Sequence, residues 1–272
     1  MSGTRSGFEA SAPGGPSSAA SSVRDGETEK FASLSGGWWD RNGPFRALHS
    51  MNRVRVPFIR DVLCNAHGLD PAKLHTLENV RILDVGCGGG ILARALAALG
   101  AHVTAIDASA ECIAAASAYH ERNPAALAAS PGRIDFAHAT AEQLVDAGAQ
   151  FDSVVASEVI EHVDTPPSFL HTLARLTRPG GAVVVSTLNR TPESYCKAIV
   201  FAERVMDLAP PGTHDWGAFI TPEELALMGA DAGLHLSHLT GMSYDPFRDM
   251  WTLTGSTGVN YVASLLKGPP AA

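Results

Sequence analysis

Three groups of residues in this 272-residue chain have types and spacings that could do chemistry. The first is Leu83-Asp84-Val85-Gly86-Cys87-Gly88-Gly89-Gly90, which follows an apolar run and opens a helix-like one. Glycines at such a place let the backbone turn sharply and approach a ligand that a Cβ would exclude. A dinucleotide turn requires Gly-x-Gly-x-x-Gly, but the third position counted from Gly86 is Ile91, so the pyrophosphate fingerprint fails. The second group is Ala105-Ile106-Asp107, about 20 residues on, where a carboxylate can accept both hydroxyls of a ribose. The plainer role for Asp107 is to cap the helix that follows.

The third group is Ser157-Glu158-Val159-Ile160-Glu161-His162-Val163. If a helix begins here, Glu158, Glu161 and His162 fall at i, i+3 and i+4 and share one face. Two carboxylates and an imidazole so placed can hold a divalent cation, which would polarise a bound hydroxyl and lower its pKa. Magnesium prefers oxygen ligands, so His162 stands open between direct ligand, water-bridged partner and general base. Acidic residues also favour a helix N-terminus through the macrodipole, which is the structural alternative for both carboxylates.

These groups need elements to position them. From Val80 onward, short apolar runs alternate with longer helical stretches, the pattern of repeated strand-helix units and a mostly parallel sheet. Strands are expected at 80–85, 102–107, 134–138, 151–156 and 182–187, with helices at 91–99, 110–121, 141–146 and 167–176. Arg178-Pro179-Gly180-Gly181 is a turn signal that halts the last helix. Five strands in this order predict an open, doubly wound α/β sheet, whose strand carboxyl ends are where ligands bind. Helices are also expected at 45–64, 192–208 and 222–232, with further strands within 236–266.

Composition bounds the function. Hydrophobic residues make up 45% of the chain, enough for one sizeable core. A net charge of -8 and a pI near 5.7, with no basic stripe, argue against nucleic acid as a partner. Cys64, Cys87, Cys112 and Cys196 are scattered without metal-ligand spacing and read as free thiols of a reducing compartment. No apolar run approaches the roughly 18 to 20 residues needed to cross a bilayer, so at most the protein lies on a membrane. Residues 1–29 are rich in Gly, Ala, Ser and Pro and are expected to be a disordered tail; Arg5 and Arg24 give them only a faint presequence character.

The order of motifs resembles one family in particular. Asp84-x-Gly86-x-Gly88 with Asp107 is similar to the first motifs of class I S-adenosylmethionine-dependent methyltransferases. Trp38-Trp39-Asp40, Gly43-x-Phe45, Leu48-His49, Met51-Asn52-x-x-Arg55, Ser157-Glu158-x-x-Glu161-His162, Ser186-Thr187-x-Asn189-Arg190, Gly212-Thr213-His214, Gly241-Met242-x-Tyr244-x-Pro246 and Asn260-Tyr261 add to it. Together, over about residues 31–267, they resemble the O-methyltransferases of ubiquinone biosynthesis. Arg53 stands where many relatives have proline.

The resemblance implies a Rossmann-like doubly wound sheet, mostly parallel with an antiparallel C-terminal strand, plus N-terminal helices (about 30–75) and a helical insertion (about 190–220) in one domain, 30–272. It places Arg55, Gly86, Asp107 and Ser157 against S-adenosylmethionine, with Arg55 on its carboxylate, and Glu158, Glu161 and His162 on magnesium. It implies a polyprenylated phenol or catechol as acceptor, at both O-methylation steps. It also implies a peripheral place on the matrix side of the mitochondrial inner membrane, beside other ubiquinone-biosynthesis proteins. Phe201-Ala202-Glu203 and Gly212-Thr213-His214-x-Trp216 are nearer to mitochondrial members. Tyr195, Ile199, Val200, Phe201, Val205, Met206 and Leu208 recur at helical spacing, a stripe that is usually core and here would alternatively serve a membrane or the substrate tail. Trp38 and Trp39 read as packing residues, and His214 as a loop histidine. The alternatives are a methyltransferase with another acceptor and a cofactor-binding scaffold without turnover.

Overall fold

The computed structural model describes residues 22–24, 26, 28, 29, 32, 34–197 and 215–268. A long helix, α1 (Arg46–His67), comes first and is closed by Gly68, whose left-handed φ of 64° lets its N–H reach the carbonyl of Cys64. Then follow β1 (Arg81–Val85), α2 (Ile91–Ala98), β2 (His102–Asp107), α3 (Ala110–Arg122), β3 (Arg133–His138), α4 (Ala141–Asp146), β4 (Phe151–Ser157), α5 (Pro166–Leu176) and β5 (Thr177–Leu188). The C-terminal part adds α6 (Pro222–Asp231), β6 (Leu234–Asp245), β7 (Met250–Thr254) and β8 (Asn260–Lys267).

The eight described strands join one sheet in the order β3-β2-β1-β4-β5-β8-β6-β7. The first five pair in parallel. β8 runs antiparallel to both its neighbours, and β7 antiparallel to β6. The expected mostly parallel, doubly wound sheet with an antiparallel C-terminal strand is the observed one. Its strand order reverses between β1 and β4, so the crevice for a ligand opens at their carboxyl ends.

The central strands are apolar throughout because helices cover both faces. Alternate residues serve opposite cores: Ile82, Val155 and Val184 pack with Ile59, Leu63 and Leu96 of α1 and α2. Leu83, Val154 and Val183 pack with Leu170 and Leu173 of α5 and Leu225 of α6. Thr140 and Thr221 begin α4 and α6 as reciprocal capping boxes with Gln143 and Glu224.

Three expectations need correction or restriction. β5 starts at Thr177, five positions before the expected 182, because the Pro-Gly-Gly turn signal is absorbed as a bulge: β4 pairs Phe151 with Thr177 and then Ser153 with Ala182. Gly180 supplies a left-handed φ of 81° there, and a Cβ on Gly181 would strike the carbonyl of Asp152. Within the expected disordered tail 1–29, residues 22–24 instead pair with Val163 and Asp164, while residues 1–21 lie outside those described. Of the helix expected over 192–208, the turn Pro192–Ser194 is observed. Residues 198–214, with Phe201, Met206 and the Gly212-Thr213-His214 segment, lie outside the described residues.

Candidate active site

The glycine turn leaves β1 through Gly86, Gly88 and Gly90, with φ of 68°, 52° and 77°. Three left-handed residues in five would strain any other amino acid. Sequence reading reserves the room above these glycines for a ligand, but side chains of the protein use much of it. A Cβ on Gly86 would lie 2.6 Å from Cγ2 of Val159, and one on Gly88 or Gly89 would run into the indole of Trp38. Trp38 stacks on Phe45 at 3.7 Å between ring centroids. Trp39 stacks on Tyr119 at 3.6 Å, donates from Nε1 to the carbonyl of Gly89 at 2.9 Å and lies under the guanidinium of Arg94. The paired tryptophans are packing residues, as expected, and what they pack is the turn itself.

Asp107 ends β2 and ties two loops. Its Oδ2 accepts the N–H of Gly88 at 2.9 Å and its Oδ1 that of Ser109 at 2.8 Å. The side-chain cap of α3 is Ser109, which accepts from the N–H of Cys112. Burial raises the pKa of Asp107. Asp84, 2% exposed on β1, has one oxygen without a hydrogen-bond partner. Burial, opposed by the nearby Arg55 and reinforced by Asp107, pushes its pKa up to about 7.

Arg55 comes from α1 and is buried at the same crevice. Its Nε and Nη2 donate to Oδ1 of Asn52, and its Nη1 donates to Oγ of Ser157 at 2.7 Å. Ser157 and Ser186 are 2.6 Å apart, and Ser186 donates to Oε1 of Glu158 at 2.7 Å. A hydroxyl carries one proton, so Ser157 must donate to Ser186. A directed chain therefore runs from Arg55 through Ser157 and Ser186 to Glu158.

Glu158, Glu161 and His162 do not share a helical face. The N–H of Glu158 is held by the carbonyl of Ser186 at 2.8 Å, which carries the strand pairing one residue further. The chain then reverses at Glu158 in the left-handed region, φ 57°, and only a single 3-10 turn, Ile160–His162, follows. A non-glycine residue held there costs on the order of 1 kcal/mol. Glu161 is buried and accepts from Oγ1 of Thr187 at 2.8 Å. Burial, and next the charge of Glu161, push the pKa of Glu158 up to about 7. Among the described residues, no group of three or more His, Cys, Asp or Glu side chains stands placed as a metal site. The donor chemistry nevertheless fits a hard cation: the burial and the like charge of Glu161 that raise the proton affinity of the Glu158 carboxylate are relieved by positive charge beside it.

One cavity of about 320 Å³ brings Arg55, Gly86, Asp107, Ser157, Glu158, Glu161 and His162 together. Sequence reasoning missed other lining residues: Thr140, Ala141 and Glu142 at the start of α4, and Ser22 and Val23. The capping-box spacing of Thr140 and Gln143 was the one available signal for the former.

A family model for a methyltransferase domain matches residues 55–239. The ubiquinone biosynthesis O-methyltransferase of Parvibaculum lavamentivorans is 45% identical over 246 residues, which is 90% of this chain and 94% of that protein. The chain belongs to the ubiquinone biosynthesis O-methyltransferase family. Another member, the mitochondrial ubiquinone biosynthesis O-methyltransferase of Arabidopsis thaliana, is 39% identical over 90% of this chain and 75% of its own length. Among solved structures, magnesium protoporphyrin IX methyltransferase from Synechocystis PCC 6803 with bound SAH superposes with a TM-score of 0.54 at 19% identity, covering 79% of this chain and 84% of that one. An O-methyltransferase family protein from Burkholderia thailandensis gives 0.56 at 13% identity, over 90% of this chain and 62% of that one. These two likenesses concern the fold alone. As a member of the ubiquinone biosynthesis O-methyltransferase family, the chain is an S-adenosylmethionine-dependent methyltransferase with a class I fold.

Proposed function

We propose that this chain transfers a methyl group from S-adenosylmethionine to phenolic hydroxyls of polyprenylated dihydroxybenzene intermediates of ubiquinone biosynthesis, at both O-methylation steps. The observation that carries this reading is the single cavity joining the glycine turn and Asp107 to Glu158, Glu161 and His162. The donor lies across the strand ends, with its sugar on Asp107, its amino-acid end beside Gly86 and Ser157, and its carboxylate on Arg55. A sulfonium is already an activated methyl donor, so the protein's main task is to align a phenolate in line with the methyl and exclude water.

Glu158 and Glu161, with His162, would hold magnesium, which when bound lowers the pKa of a phenol from near 10. The chain's own residues fix the geometry around it. Ser186 and Thr187 at the end of β5 each hold one carboxylate oxygen in place. Arg55, held by Asn52 and Ser157, supplies positive charge beside both Glu158 and Asp84.

The isoprenoid tail of the acceptor partitions into lipid, which favours work at a membrane surface. No helix among the described residues is long and apolar enough to cross a membrane. Tyr195, the first apolar residue of the amphipathic stretch, and Trp216, beyond its end, are 48% and 36% exposed and meet edge to face. Such amphipathic rings suit an interface between water and lipid. We place the enzyme peripherally on the matrix side of the mitochondrial inner membrane, with other ubiquinone-biosynthesis proteins as partners; the name of the Arabidopsis relative supports the compartment. The test is a methylation assay with a prenylated catechol in lipid vesicles, with and without magnesium. Turnover needing both is expected, with co-sedimentation reduced by Phe201→Glu and Met206→Glu. Donor binding without methylation of any catechol would point to another acceptor, and an unchanged vesicle-bound fraction would remove the membrane role of the stretch.

A pH dependence follows from Asp84. An acid with a raised folded-state pKa holds its proton more tightly folded than unfolded. Its contribution to stability is therefore present below its ordinary pKa and lost as the pH rises through about 7. A cationic donor reverses that balance by favouring the carboxylate. Donor affinity should therefore rise from about pH 6 to about pH 8, with proton release on binding. Calorimetry in buffers of different ionisation heat measures the release, which should shrink in Asp84→Asn.

A further inference from the structure

We propose that residues 22–24 form a strap that closes the donor end of the cavity, with Ser22 a positioning residue that acts through Glu142. The proposal rests on the donor lying in this cavity. Five contacts carry it. Ser22, 8% exposed, donates from Oγ to Oε1 of Glu142 at 2.7 Å, across 120 positions of sequence. The carbonyl of Ser22 accepts the N–H of Asp164 at 2.9 Å, and Val23 forms an antiparallel bridge with Val163. Arg24 donates from Nη2 to the carbonyl of Val163 at 3.2 Å and stands 3.6 Å from Asp164.

The two anchors are neighbours on the rim of the cavity: Ser22 alone reaches both, its Oγ on Glu142 and its carbonyl on Asp164, and α4 packs against α5. Glu142 begins α4, just beyond the end of β3, and Val163 follows the turn that carries Glu158, Glu161 and His162. A segment fastened to both runs along this rim, and Ser22 and Val23 line the cavity together with Asp107, Ala108 and residues 139–142. Residues 139–142 follow β3, which pairs with β2 on the side away from β1 and its glycine turn, so the strap would cover the sugar and base end of the donor as placed above.

The anchor at Glu142 is a strong one. Glu142 is 7% exposed, and the other oxygen of its carboxylate, Oε2, is buried with no hydrogen-bond partner. Deleting the Ser22 hydroxyl would leave a buried carboxylate without the partner it has, a change that costs more than an exposed hydrogen bond would. The strap is therefore held by a bond that the α4 lip needs as much as the tail does. It also ties the donor end of the cavity to the acidic turn, because the same three residues grip Val163 and Asp164.

The experiment uses the full chain and S-adenosylhomocysteine. Calorimetry first establishes binding to the wild type; no binding there would sink the donor's placement rather than the strap. Stopped-flow release is then compared for Ser22→Ala, Ser22→Thr and Val23→Asp. We expect release about 10-fold faster in Ser22→Ala and Val23→Asp, the size of one lost charge-assisted hydrogen bond, with the Thr variant restored. The KM for the donor should rise more than kcat falls. Trypsin cleavage after Arg24 in the wild type should slow when the ligand saturates, a readout that needs no variant. Wild-type release rates in both Ser22→Ala and Val23→Asp would overturn the strap.

Discussion

Replacing Glu158 and Glu161 together by alanine lowers kcat by at least about 10³-fold while S-adenosylhomocysteine still binds, because the two carboxylates serve the acceptor and not the donor. The donor's partners in our reading, Asp107, the glycine turn and Arg55, keep their own anchors in that variant. One of them feels the change: Glu158 ends the chain of hydrogen bonds that starts at Arg55 and is the largest opposing charge beside that buried guanidinium. Donor affinity should therefore fall by a few-fold, far less than turnover. Glu158→Gln keeps an acceptor for Ser186 and removes only the charge, so it should retain the donor affinity and lose the turnover. Methyl-transfer rates and calorimetry on the same preparations separate the two effects. Full turnover in the double variant would take the metal out of the mechanism.

Asp107→Ala should weaken donor binding by about 100-fold, the upper range for hydrogen bonds to a charged group. Each oxygen of Asp107 already accepts one backbone N–H, and each keeps a further lone pair for a ribose hydroxyl. Alanine therefore removes the sugar's acceptors and also releases Gly88, whose left-handed turn carries the amino-acid end of the site. Asparagine is no remedy. Its amide must turn an NH₂ toward the N–H of either Gly88 or Ser109, so Asp107→Asn should bind the donor little better than alanine does. Equal donor affinity in wild type and Asp107→Ala, measured by calorimetry, would move the sugar elsewhere.

The parallel half of the sheet could be read from the sequence because β1, β2 and β4 are short apolar runs that end at chemistry-bearing residues. Buried central strands have no other way to be written. What sequence reading lost lies where distant segments meet. The helical face proposed for Glu158, Glu161 and His162 failed because Ser186, 28 positions away, holds the backbone at Glu158 and forces the reversal there. The glycines were recognised as a turn, yet their second function, making room for Trp38 and Val159, depends on contacts that no local spacing encodes. Residues 22–24 were lost for the same reason: the segment has no periodic pattern of its own, and contacts with the distant Glu142, Val163 and Asp164 fix its place. All seven expected site residues do line one cavity, since each sits at or beside a strand end of the switch-point crevice, or on the helix, α1, that packs against it.

β8 is the last of the described strands and lies between β5 and β6 in space. During synthesis those two neighbours leave the ribosome with open edges and must wait for it. A message cut short before Asn260 would yield a product with two bare hydrogen-bonding rims in its interior, a template for aggregation rather than a slightly shortened enzyme. Maturation of this polypeptide is therefore tied to the synthesis of residues 260–267.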